Sequence, residues 1–190
     1  MALFLTIVFC VLLKISSGFC CKTPCNCNNN NKTFDYYWRD YFGNIPYDAV
    51  QGGIDKNGNP SYIGQVYSKN HASLLPATIY SGCLSARASV NGAPIELDDS
   101  IKILCSNKKN KLAWIPTQNN KTSLLINCHL VVGGFESEHI LNIGRVTHNG
   151  QVVIGKVFSY PLWNSGLWIP DNNSTTNFLV YEILTYNCVN

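Results

Sequence analysis

The sequence predicts an all-β protein in which two tandem antiparallel β repeats pack with pseudo-twofold symmetry. Three observations carry this. Four short blocks recur in the same order at an offset of about 80 residues. Asn-Gly pairs at 57–58, 91–92 and 149–150 supply the positive-φ residues of tight hairpin turns. The segments between them are rich in β-branched and aromatic residues and lack the i, i+3, i+4 spacing of an amphipathic helix, so no helix is expected. The 190-residue chain is 46% hydrophobic, 12% aromatic and 13% charged, with mean hydropathy near zero. That composition excludes an unfolded tail, and a net charge of +3 gives no electrostatic footprint for wrapping nucleic acid.

Along the chain, the apolar run Ala2–Leu13 ends at Lys14 and is followed by Ser16-Ser17-Gly18, the layout of a secretory signal over residues 1–18. The run is too short to span a bilayer, and no later window replaces it. The protein is therefore expected to be secreted, with no membrane span. Residues 19–33 form a Cys- and Asn-rich arm with almost nothing to bury. Without Cys10 of the leader, eight cysteines remain: Cys20, Cys21, Cys25, Cys27, Cys83, Cys105, Cys128 and Cys188. An even count in an exported chain argues for disulfides, and the spacing within the arm does not fit a zinc site. The pairing is left open. Asn31, Asn120, Asn172 and Asn173 lie in N-glycosylation sequons within polar stretches.

The first repeat is placed at residues 34–110 and the second at 111–190. Gln51-Gly52-Gly53-Ile54-Asp55 is echoed by Val132-Gly133-Gly134-Phe135-Glu136, and Tyr62-Ile63-Gly64-Gln65-Val66 by Asn142-Ile143-Gly144-Arg145-Val146. Leu75-Pro76-Ala77-Thr78-Ile79 aligns with Val153-Ile154-Gly155-Lys156-Val157, and Ser100–Leu104 with Val180–Leu184. Gly52, Gly53, Gly133 and Gly134 read as bulge or tight-turn residues, because neither a Gly-x-Gly-x-x-Gly pattern nor a following helix is present. Two such copies, each with one half-buried sheet, would bury their apolar faces against one another.

The blocks in this order, opened by Tyr36-Tyr37-Trp38 and Ile45-Pro46-x-x-Ala49, resemble the DM-nine repeat, in tandem from about Phe34 to Tyr186. The resemblance implies a secreted, lectin-like protein that binds mannose-type glycans on cell surfaces and serves invertebrate innate immunity by pattern recognition. It further implies that sugar is held by the acid after the Gly-Gly pair and the lysine of a Pro-Gly-Lys turn. In the first copy these positions are Asp55 and Thr78; in the second they are Glu136 and Lys156. The second copy keeps both an acid and a base. A carboxylate and an ammonium held together can grip adjacent sugar hydroxyls with charge-assisted hydrogen bonds. The plainer readings are an exposed cross-strand ion pair for Glu136 and Lys156, and a turn aspartate capping its own backbone for Asp55. Trp38, Trp114, Trp163 and Trp168 could stack on a sugar face or fill the core.

Other chemistry is disfavoured. Asp55-x-Asn57-x-Asn59 fails as a calcium loop because Pro60 stands where glycine is required. His71, His129, His139 and His148 form no His-Glu-x-x-His, and no Gly-x-Ser-x-Gly elbow occurs. The chain reads as a binding protein, not an enzyme, with no cofactor expected. The alternative is a secreted structural or effector protein that keeps the fold without sugar binding and associates, as a homo-oligomer for instance, through its Cys-rich arm.

Overall fold

Asn91 and Gly92 adopt φ of 47° and 77°, and Asn149 and Gly150 adopt 49° and 75°, the paired left-handed geometry of a two-residue I′ turn. Asn57-Gly58 behaves otherwise: only Gly58 has positive φ, because the Asp55 side chain organises that loop. The computed structural model describes residues 34–159 and 165–188. The expected leader 1–18 and arm 19–33, with Asn31 and four cysteines, lie outside the described residues. Phe34–Asn190 forms one compact unit.

The first half contains β1 (Tyr36–Asp40), β2 (Gln51–Ile54), β3 (Pro60–Ser68), β4 (Ser73–Tyr80), β5 (Ala86–Val90), β6 (Ala93–Leu97) and β7 (Ile101–Ser106). The second contains β8 (Leu112–Gln118), β9 (His129–Leu130), β10 (Val132–Glu136), β11 (His139–His148), β12 (Gln151–Phe158), β13 (Gly166–Asp171), β14 (Ser174–Phe178) and β15 (Val180–Tyr186). All pairings are antiparallel. Short 3-10 turns at Lys69–His71, Lys109–Lys111 and Thr122–Leu124 are the only helical turns among the described residues.

The two halves follow matching orders. The first runs β1–β7–β3–β4–β5–β6, the second β8–β15–β11–β12–β13–β14. Registers match too: Gly64 faces Ala77 as Gly144 faces Gly155. The Gly-Gly strands cross between the halves. β2 pairs with β3 and also with β12, through Ile54 and Val152; β10 pairs with β11 and also with β4, through Phe135 and Leu74. Gln65 Nε2 donates to the Gly133 carbonyl at 2.8 Å, and Arg145 at the corresponding position donates to the Gly52 carbonyl at 3.2 Å.

Glycine is required at these crossings because the backbones nearly touch. Both strands carry a register shift there, as expected of bulge glycines. A Cβ on Gly53 would lie 2.1 Å from the Val152 carbonyl oxygen, and one on Gly134 would lie 2.0 Å from that of Leu74. Gly53→Ala should therefore pry β2 from β12 and lower stability by at least about 1–3 kcal/mol, read as a lower urea midpoint. The core explains why the crossing holds. One core cluster joins Ile63 and Leu104 to Ile143, Ile154 and Leu184, all essentially inaccessible, and another seats Leu141 of β11 among first-half side chains.

The cysteines divide. Cys128 and Cys188 are bridged, tying the segment before β9 to the chain end after β15. Cys83 is free and exposed, and Cys105 is free and buried. The expected disulfides are thus met by Cys128–Cys188, and Cys83 and Cys105 form no bridge among the described residues. Cys105 sits fully enclosed in a core cluster with Ile101, Ile103 and Leu141, and burial pushes its thiol up to about 11, so it packs as a small hydrophobe.

Asp35 stitches the start of the fold to its end. Its carboxylate accepts from Lys111 Nζ at 2.6 Å and Tyr186 Oη at 2.7 Å, and pairs with Lys108 at 3.2 Å. These donors, Lys111 foremost, hold the carboxyl well below the ordinary carboxylate range. A depressed acid contributes stability above its unfolded pKa and loses it as pH falls toward the folded value. Urea midpoints should accordingly drop as pH falls below about 4, and Asp35→Asn should flatten that part of the profile.

Candidate functional site

β10 ends at Glu136, and Ser137 and Glu138 turn the chain into β11 with φ of 47° and 68°. Two strands away, on β12, Lys156 lies directly opposite Trp168 of β13. Phe158, two residues on from Lys156, projects from the same face. Glu136 and Lys156 form a direct ion pair. The pair is not the exposed surface bridge that the plainer reading foresaw: Glu136 is 3% and Lys156 4% accessible. Glu136 Oε1 also accepts the Asn91 backbone N–H at 2.7 Å, and the Lys156 ammonium stands 5.5 Å from the Phe158 ring centre. Burial pushes the Lys156 pKa down from its ordinary value, against the opposing pull of Glu136.

This pair lies in the lining of a pocket of about 250 Å³, together with Ser89, Asn91, Phe158, Trp168 and Thr175. The β5–β6 hairpin of the first half thus helps to close a site whose charges belong to the second, and Thr175 of β14 donates to the Gly92 carbonyl at 2.9 Å to fasten it. Ser89 is 97% buried and its hydroxyl has no hydrogen-bond partner among the described residues. Trp168 holds its indole N–H on Ser165 Oγ at 2.9 Å. The arrangement offers a fixed carboxylate and ammonium, an unpaired hydroxyl, and two aromatic rings.

The first-copy residues fare differently. Thr78 is fully buried; its hydroxyl donates to the Ile154 carbonyl at 3.3 Å and accepts the Ile154 N–H at 3.2 Å. It lines neither the Glu136 pocket nor the one beside Asp55, and its hydroxyl is taken up by the neighbouring backbone, as a short β-branched side chain at a strand crossing allows. Asp55 accepts the N–H groups of Asn57 and Asn59 at 2.8 Å each and the Asn59 amide at 2.9 Å, as a turn aspartate does. Trp38 and Trp114 pack against the shared core, Trp114 with the Arg145 guanidinium 4.4 Å from its ring centre. Trp163 lies outside the described residues. Asn120, Asn172 and Asn173 are exposed. No group of three metal-ligating side chains occurs among the described residues, and no described helix is long and apolar enough to cross a membrane.

Fold and site define an all-β protein of two matched halves, with a buried acid–base pair in an aromatic-walled pocket. A DM9 repeat model matches residues 66–160. The chain belongs to the DM9 repeat family. No curated protein matches it. Among solved structures, the crystal structure of the nematode sperm cell motility protein MFP2B is similar, with a TM-score of 0.57 at 11% identity. The match covers 83% of this chain and 48% of that one, so the chain spans about half the length of that protein. At this identity the likeness speaks to the fold alone.

Proposed function

We propose that this is a secreted, lectin-like protein that binds mannose-type glycans on cell surfaces through the Glu136–Lys156 pocket, without catalysis, as a pattern recognition protein of innate defence. The observation that carries the reading is the ion pair itself, in the lining of a sugar-sized pocket beside Trp168 and Phe158. A pyranose hydroxyl pair both donates and accepts, which a neighbouring carboxylate and ammonium match. Its apolar ring face suits the indole. Ser89 supplies one more hydroxyl, without a partner among the described residues.

The test is a glycan array and a titration with methyl α-mannoside. Trp168→Ala leaves the ion pair in place and should weaken binding about tenfold, the scale of one lost aromatic contact. Wild-type protein that retains no glycan would overturn the reading.

A further inference from the structure

A second pocket of about 250 Å³ opens where the first half presents its acid, lined by Asp55, Lys56, Tyr80, Arg87, Gln151 and Asp171 among others. It repeats the plan of the Glu136 pocket with its chemistry rearranged. There, Lys156 stands opposite Trp168; here, Thr78 stands opposite Arg87. The cation has moved one strand outward, from β4 to β5. The hairpin that closes this pocket comes from the other half, in Asp171 and Asn172.

The hydrogen bonds sort its groups. Asp55 spends its carboxylate on the donors of its own loop. Asp171 spends one oxygen on His148 at 2.8 Å and Thr176 at 3.0 Å, and the other on the Asn172 amide at 3.2 Å. Tyr80 donates its phenol proton to Gln151 Oε1 at 3.2 Å, which leaves the Gln151 NH₂ as a donor. Among the described residues, Arg87 forms no ion pair with either carboxylate; it lies beside the Tyr80 phenol and acts on Asp171 only through its charge. The two carboxylates are engaged, while the Arg87 guanidinium and the Gln151 NH₂ still have N–H groups to offer. A ligand for such a pocket must bring acceptors, and a guanidinium selects a planar carboxylate by its fork of N–H groups.

We infer that the Arg87 pocket binds the carboxylate of an acidic saccharide, as a second site with a different preference from the Glu136 pocket. Only the premise that the ligand is a saccharide rests on the proposed function. Arg87 takes the carboxylate, Gln151 donates beside it, and Asn57 and Asn149 at the rim meet ring hydroxyls.

The experiment titrates the full-length chain calorimetrically with glucuronate, its methyl ester, and acetate. Glucuronate should bind about tenfold or more tightly than either of the others, the scale of a charge-assisted pair. Arg87→Gln should erase that preference, and Trp168→Ala should leave it. Arg87→Lys, which keeps the charge without the fork, should lose most of it and serves as the measurement should Arg87→Gln lower the melting temperature. Equal binding of the ester, equal binding of acetate, or a preference that survives both Arg87 variants would overturn the inference. Methyl α-mannoside titrated in parallel separates the two sites: its loss with glucuronate retained counts against the proposed function alone, and the reverse counts against this inference alone.

Discussion

Lys156→Ala is expected to lower the unfolding free energy by about 3–5 kcal/mol, because it leaves the Glu136 carboxylate buried without its counter-charge. The residue lies in the lining of a pocket, and a surface lysine would cost far less. What sets the magnitude is burial on both sides of the pair, 5% and 4% side-chain exposure. Adding Glu136→Gln to Lys156→Met should recover most of the loss, since the buried charges go together and the glutamine carbonyl still accepts the Asn91 N–H. That double variant is also the sharpest functional probe: a folded protein with the same pocket walls and no charged pair. Urea unfolding of the two variants measures the first effect, and mannoside titration of the double variant measures the second.

Removal of the Cys128–Cys188 bridge is the other large effect. The bridge closes a loop with a sequence separation of 60, and opening it should cost about 2–4 kcal/mol through the added freedom of the unfolded chain. Melting temperature should fall on the order of 10 °C in Cys188→Ser, or in wild-type protein under reductant. Cys105→Ser should respond differently. It places a hydroxyl in a fully enclosed site and does not change the response to reductant.

Much of the architecture was legible in the sequence, and the reason is local. Asn91-Gly92 and Asn149-Gly150 announce their turns because only certain residues tolerate that backbone, and the recurring blocks announce strands because β-branched residues alternate across a pleat. The pairing of Glu136 with Lys156 was implied by the DM-nine resemblance, which singles out both positions. Their burial was not. It depends on the β5–β6 hairpin and Trp168, which reach the pocket from elsewhere in the chain, and no short-range pattern records such an approach. Thr78 shows the same limit from the other side. Its place in the repeat matches a lysine, yet it is sealed by a hydrogen bond to Ile154, 76 positions away. Arg87 sits in no repeated block, so its place beside the Asp55 loop, opposite Thr78 across two strands, has no signal in the sequence.

The crossing of β2 and β10 carries a consequence for how the molecule comes into being. Ile54 must wait for Val152 to be made before its strand finds its outer neighbour, so neither copy can finish assembling while the other is missing. A single copy released by itself would hold an orphaned sheet edge and a foreign strand with nowhere to dock, the circumstances in which two identical molecules lend one another the absent piece. The strand crossing makes an obligate partnership inside one polypeptide, and each half owns only part of either cleft.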